Sequence, residues 1–374
     1  MKLLKGLLLV SFSVFYSCQS RTDLIISDKN VIETGLEEIS SDIQFMAIKS
    51  SQPIKNLSIG YTSGKYDFLL ASNGSTVYCV EGDSVVSILD RKGRGHEEYL
   101  FITTLAYSPE DSLLYIVDAD KKMLVYKIPE NKFVKSFEDL PAIHSLKVID
   151  KNRLLAKCFV SENDLEERYG FLYIDTNTGS ISDMKFTFSN TASKYLDDTN
   201  ISQCEGSIYF VLGSNDVNQL YCYTRGEFSH RLNFMYSRKL RIPERVRVKD
   251  PDNLNEQILF AEYVSSHRYC IGAFFPISSG DGKKITFWSI PDVKNGEFIL
   301  NRIMGDEITN YHVTIPGYPG LVRPTWVSND YYAYLYQGAS RDENYTGESP
   351  LANKIDKLFQ NNDGNPVIVK FKVK

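Results

Sequence analysis

Five histidines, at His96, His144, His230, His267 and His312, are the only imidazoles among 374 residues. None stands in an H-x-H, H-E-x-x-H or G-x-S-x-G arrangement, so the recognisable zinc-hydrolase and serine-hydrolase spacings are missing. His144 and His267 fall near the starts of predicted strands, where a side chain could reach a central channel; a surface or hydrogen-bonded structural histidine is the simpler reading of each. Asp118-x-Asp120 has two acidic positions of a calcium loop but neither the third nor its glycine, and a hairpin turn after a strand explains both carboxylates. Cys79, Cys158, Cys204, Cys222 and Cys270 are too widely and irregularly spaced for redox or zinc pairs. Each lies in an apolar or aromatic run, as buried free thiols do. The residues therefore assign no catalytic group, metal ligand or cofactor.

Two segments carry binding chemistry instead. Arg238, Lys239, Arg241, Arg245, Arg247 and Lys249 place six cations within twelve residues of a chain whose net charge is −5. A solvated loop is the plain reading; the functional one is capture of an anion, an acidic glycan or an acidic protein surface, centred on Arg245 and Arg247. Further on, Tyr311, Tyr318, Trp326, Tyr331, Tyr332, Tyr334 and Tyr336 follow Asn310, interspersed with Pro316, Gly317, Pro319, Gly320, Arg323 and Pro324. Aromatic faces on a stiff loop suit stacking on a sugar or gripping a peptide, with Tyr311, Tyr318, Arg323 and Trp326 as the contacts. Tyr332, Tyr334 and Tyr336 alternate as strand residues do.

The elements that must position these residues are strands. A composition of 43% hydrophobic and 24% charged residues is globular, and the mild acidic balance argues against nucleic acid as a partner. Short runs rich in Tyr, Phe, Val and Ile recur, bounded by Gly, Asn, Asp, Ser or Pro: 68–71, 76–80, 113–117, 123–128, 170–174, 207–212 and 285–290. Asn73-Gly74, Asp281-Gly282 and Asn295-Gly296 favour hairpins and hence antiparallel pairing. One helix is predicted, Pro350 to Gln360, capped by Ser349 and apolar along Leu351, Ile355, Leu358 and Phe359.

Runs and turns group into a unit of four strands, nearly complete from Thr103 to Glu138, with similar units beginning near Asp67, Ser145, Ile201, Phe260 and Pro324. Six such antiparallel units make an all-β, six-bladed β-propeller, in which each blade buries its faces against its neighbours. A two-sheet sandwich leaves the repetition unexplained. Strand Val367 to Val373 and the run Ile43 to Ile48 are expected to share one blade and so close the ring.

Lys2 and Lys5 precede an apolar run, Leu7 to Tyr16, too short to span a bilayer, which reads as a signal peptide over 1–17. The run stops at Ser17-Cys18, which resembles the lipobox of bacterial lipoproteins. The resemblance implies lipidation of Cys18, after which a tether over 18–38 and the propeller over 39–374 are expected. An ordinary cleaved signal is the alternative. Anchoring by acyl chains makes the membrane a partner.

Leu89-Asp90-Arg91-Lys92-Gly93-Arg94-Gly95-His96-Glu97-Glu98-Tyr99 resembles the G-x-G-P-G-E-Y signature of six-bladed β-propeller lipoproteins of Bacteroides-type bacteria, of the NHL/TolB-like kind. The strand Leu114 to Asp118, the Leu124-Val125-Tyr126 strand and the ending Asn365-Pro366-Val367-Ile368-Val369-Lys370-Phe371-Lys372 are similar to that family's pattern. His96 and Glu97 replace its proline and second glycine, so this loop has lost turn stiffness or gained a role, and Arg94, His96, Glu98 and Tyr99 become candidate ligand contacts. The resemblance implies a lipid-anchored propeller at the outer membrane, on its periplasmic face or the cell surface. Asp83-Ser84-Val85 and Asp111-Ser112-Leu113 resemble the O-glycosylation acceptor of these bacteria.

The expected function is a monomeric, non-catalytic binding module for a glycan, a peptide or an envelope protein. A metal-dependent enzyme of lactonase or lyase type is the alternative; it requires a divalent metal held by at least three converging ligands in the channel.

Overall fold

A computed structural model describes residues 24–26, 32–50, 53–54, 56–63, 65–71, 73–161, 167–183, 185–189, 202–204, 206–213, 218–236, 258–266, 269–276, 297–304, 307–316, 326–328, 331–338, 345 and 347–374, in backbone only from 258 to 310, at 326–328 and at some strand ends. In chain order, β1 (Leu24–Ile26), β2 (Ile32–Gly35), the short α1 (Leu36–Ile39) and β3 (Ser40–Ala47) come first. Then follow β4–β7 (Leu57–Thr62, Tyr66–Ala71, Thr76–Glu81, Ser84–Asp90) and β8–β11 (Ile102–Ser108, Leu113–Asp118, Lys122–Lys127, Lys132–Phe137). The next strands are β12–β15 (Ala142–Asp150, Arg153–Ser161, Glu167–Asp175, Phe186–Ser189) and β16–β19 (Ser202–Cys204, Ser207–Gly213, Asn218–Thr224, Glu227–Tyr236). Last come β20–β23 (Ile258–Ser266, Tyr269–Pro276, Glu297–Met304, Glu307–Thr314), β24 and β25 (Trp326–Ser328, Tyr331–Tyr336), α2 (Pro350–Gln360) and β26 (Val367–Val373).

Among the described residues β4–β7, β8–β11 and β12–β15 each form a four-stranded antiparallel sheet. The burial pattern explains why. In the middle strands β9 and β10 almost every residue is buried, because both faces meet another sheet; a strand buried on both faces reads as a continuous apolar run. The outer strands β7 and β11 alternate between buried and exposed positions, with Val86, Ile88 and Val134 facing solvent. Each fully buried Leu, Ile or Phe in the middle strands contributes about 1.5–3 kcal/mol through area removed from water.

The sheets pack side by side in chain order. One apolar cluster runs through the first three sheets, from Phe68 through Leu114 and Tyr126 to Leu154. A second joins Leu155 and Phe171 to Ile208 and Phe210. A third joins Leu69 and Val80 of the first sheet to Ala333 and Ile368 near the C-terminus. Beside that third cluster, Lys370 pairs with Asp67 at 2.7 and 2.8 Å, an ion pair buried between β26 and β5. The result is a mostly-β fold of propeller type.

β26 pairs antiparallel with both β25 and β3, Lys370 facing Gln44, so strands from the two ends of the chain share one sheet. α2 begins as its sequence dictates: Ser349 accepts from the Ala352 backbone N–H at 3.2 Å and Pro350 occupies the first turn. Leu351 and Ile355 are buried, with Leu358 and Phe359 packed alongside.

Three features differ from the expectation. The first sheet starts at Leu57, one strand before the expected Asp67, because Gly60 and the polar Ser58 dilute the apolar signal of β4. The segment 18–38 is not a tether throughout: β1 pairs in parallel with β19, β2 pairs in parallel with β23, and Leu36 is fully buried. The outer strands offer unpaired backbone groups, and Leu24-Ile25-Ile26 and Ile32 are β-formers able to satisfy them. Finally, β16–β19 and β24–β25–β26–β3 are not separate sheets. A parallel bridge between Gln203 and Ser328 joins them, with β1, into a nine-stranded sheet, while β2 adds a fifth strand to β20–β23.

Candidate functional site

The connection 91–101 carries the densest set of expected contacts. Tyr99 is fully buried. Its hydroxyl shares a proton between the Ser75 and Leu89 carbonyls, at 2.9 and 3.1 Å, and accepts from Arg91 N at 3.2 Å. Burial pushes that phenol up to about 12. The Glu98 carboxylate accepts from Gly95 N at 2.8 Å and lies 1.9 Å from where a Cβ on Gly93 would sit, so any side chain at 93 would displace it. Glu97 pairs with Arg91 at 3.0 Å, and its carbonyl accepts from the Tyr126 hydroxyl at 2.6 Å. Lys122 donates to the Gly95 and Glu98 carbonyls, both at 3.1 Å. Asp118 is buried and accepts from Leu100 N and Phe101 N, which ties the connection to β9. Tyr99 and Glu98 thus hold the crossing from one sheet to the next; the Tyr99 hydroxyl is fully engaged, while the second Glu98 carboxylate oxygen makes no hydrogen bond among the described residues. Arg94 is exposed, and the His96 side chain is 81% exposed, its ring set edge-on to Phe133 with centroids 5.6 Å apart.

The other expected contacts scatter. Tyr311 is not in a loop: it lies within β23, pairs with Leu300 and Ile32, and packs against the cluster containing Leu36 and Val313. Its β-branched neighbours Val313 and Thr314 favour a strand over the expected stiff loop. Trp326 starts β24. Cys18, Arg245, Arg247, Tyr318 and Arg323 lie outside the described residues, as does His267. Tyr332, Tyr334 and Tyr336 are buried strand residues. Cys79, Cys158 and Cys222 are buried free thiols, and burial pushes Cys79 and Cys158 up to about 12. Among the described residues no three of His, Cys, Asp and Glu come together as a metal site would require.

A cavity of about 240 Å³ opens where the first strands of four successive units run out. β4 contributes Tyr61, Thr62 and the following Ser63; β8 contributes Tyr107, Ser108 and then Glu110. β12 contributes Val148 to Asp150 with Lys151, and β16 contributes Gln203. Turn chemistry shapes the rim: Ser63 Oγ donates to the Tyr66 carbonyl at 2.9 Å and accepts from Tyr66 N at 2.8 Å. Burial raises the Asp150 carboxyl, but hydrogen bonds from Arg153 and Asn152 N outweigh it and hold the group below the usual carboxylate range. The Tyr61 hydroxyl is pushed up to about 12 by burial. Behind it, Lys147 extends from the third sheet to within 5.3 Å of the Tyr61 ring, and burial lowers its ammonium to about 7. The wall mixes hydroxyls, an amide, two tyrosines and two carboxylates, a surface that exchanges hydrogen bonds with a polar ligand.

No sequence motif marks this cavity. Its members share a position within the repeat, the last residues of a unit's first strand and the turn after it. Laying the first turns of the units over one another would bring Ser63, Pro109 and Lys151 into line.

No protein-family model matches the chain, and no curated protein sequence matches it at a significant level. Two solved structures are similar over nearly its whole length. A Bacteroides fragilis protein thought to be exported is 16% identical, with a TM-score of 0.66 over 94% of this chain and 99% of its own. A member of the DUF4221 family from Bacteroides vulgatus is 11% identical, with a TM-score of 0.50 over 90% of this chain and 97% of its own. At such identities the likeness is one of fold alone.

Proposed function

We propose that the chain is a six-bladed β-propeller of four-stranded blades, similar to the lipoproteins its signature resembles, and that it acts as a non-catalytic binding module of the bacterial envelope. In this reading a lipid on Cys18 holds it at the outer membrane, and a glycan, peptide or envelope protein engages its central mouth. The blades are β4–β7, β8–β11, β12–β15, β16–β19, β20–β23 and β24–β25–β26–β3, and the antiparallel order within each group supports the count.

The cavity of about 240 Å³ carries the binding reading, because its lining comes from four different units at one structural position. Convergence of that kind arises where first strands surround an axis. The described wall offers hydrogen-bonding groups without a nucleophile beside a base, which favours recognition over turnover. The decisive experiment is a thermal-shift screen of envelope glycans and peptides against the wild type and Glu110→Trp. Glu110 is exposed at the rim, so a bulky ring there closes the mouth while leaving the core intact. Ligands that stabilise the wild type should lose that effect in the variant; an unchanged shift places the ligand elsewhere. The anchor is tested separately. Cys18→Ala should move the protein from the membrane fraction to the soluble one, and retention in the membrane would refute it.

A further inference from the structure

A second cavity, of about 650 Å³, opens at the junction of β12–β15 and β16–β19, on the far side of the 150–153 turn from the central mouth. Asp150 lines one cavity and Arg153 the other. The groove has aromatic walls. Phe186 and Phe228 stack with centroids 5.2 Å apart at 28°, and both remain only half-buried. Tyr173 is oriented by its hydroxyl, which donates to the Tyr223 hydroxyl at 3.0 Å.

Two cations converge on that tyrosine. The Arg153 guanidinium lies 5.6 Å and the Lys185 ammonium 6.0 Å from the centre of the ring. Arg153 gives Nε and Nη2 to Asp150, at 2.8 and 2.6 Å, and its Nη1 donors have no protein partner among the described residues. Lys185 Nζ makes no hydrogen bond or ion pair among them either. Two residues with unspent charged donors therefore line one groove beside apolar ring faces. Glu227 lines the same groove and adds a carboxylate acceptor.

We propose that this groove binds a sugar acid. The ligand carboxylate takes Arg153 Nη1 and Lys185 Nζ, the apolar face of the pyranose lies on Phe186 and Phe228, and Glu227 accepts from ring hydroxyls. Each part of the groove excludes a simpler ligand. A bare inorganic anion leaves the rings and Glu227 unused. A neutral sugar leaves both cations unused. An acidic peptide has no flat apolar pyranose face to lay on Phe186 and Phe228. The site shares no ligand-contacting residue with the central mouth, so it stands whether or not that mouth binds anything.

The experiment is calorimetric titration of the full chain with tri-galacturonate, with neutral galactotriose and tetra-glutamate as comparison ligands, at low and high salt. Tri-galacturonate should bind, weakening as salt rises, and galactotriose should bind about a hundredfold more weakly, the scale of two charge-assisted hydrogen bonds. Lys185→Gln removes an amine that makes no hydrogen bond or ion pair among the described residues, so it should keep the wild-type melting temperature and lose about tenfold in tri-galacturonate affinity. Arg153→Lys keeps a cation beside Asp150 but not the second donor pair, and should also weaken binding. Absence of tri-galacturonate binding, equal binding by Lys185→Gln, or equal binding of tetra-glutamate would each overturn the proposal.

Discussion

The connection 91–101 and the groove at Arg153 gather the same residue types, arginine, lysine, glutamate and aromatic rings, within a short radius. They differ in what those groups have left to give. In the connection, Tyr99 bonds to the Ser75 and Leu89 carbonyls, one Glu98 oxygen accepts from Gly95 N, and Lys122 and Tyr126 of β10 donate to its carbonyls, so less remains for a ligand. In the groove, Lys185 has no hydrogen-bond partner among the described residues and Arg153 is only partly engaged. Residue type announces a capacity for chemistry; function requires that the fold leave some of that capacity unspent.

The largest expected effect lies in the connection. Tyr99→Ala deletes a fully buried ring and three hydrogen bonds, and should cost about 3–5 kcal/mol in urea denaturation, the range for buried aromatic deletions. If stability held and sugar binding fell, the two regions would have exchanged roles. Next comes Lys147, whose amine is fully buried. With its ammonium lowered to about 7, the folded state has lost that proton between about pH 7 and the unfolded value of about 10.4, where the unfolded chain keeps it. Stability therefore rises with pH across this window and is lost as pH falls toward 7, by at most about 1.4 kcal/mol per pH unit. Lys147→Met should flatten the rise measured between pH 7 and 9, below the range where tyrosines titrate. An unaltered slope in the variant would assign it to other groups.

Asp118→Ala strips the acceptor from Leu100 N and Phe101 N and should cost about 1–3 kcal/mol. It should leave tri-galacturonate affinity unchanged, since the groove lies in other sheets; a parallel loss of affinity would couple the two regions. The smallest effect is His96→Ala. At 81% exposure its deletion should change stability by less than about 0.5 kcal/mol and ligand binding not at all. Loss of binding in that variant would restore the exposed tip of the connection as a contact.

Local pattern made much of the fold legible. The strands from Thr103 to Glu138, the pairing of Val367–Val373 with the N-terminal run, the capped helix Pro350–Gln360 and the burial of Cys79, Cys158 and Cys222 all follow from apolar runs, turn residues and a capping serine. β1 and β2 escaped because nothing near Leu24 or Ile32 says which open edge is available. Tyr311 was misplaced because its aromatic neighbours and nearby prolines obscured a strand.

By itself, then, the sequence determined most of the strands and which residues are able to bond, because both depend on chemistry within a few residues. Only the tertiary structure decided which of those bonds are spent. Ser63, Glu110, Asp150 and Gln203 meet at one mouth, and Arg153 meets Lys185 across Tyr173, through contacts between residues far apart in the chain. No spacing rule encodes such a contact, since it exists only once whole sheets have packed.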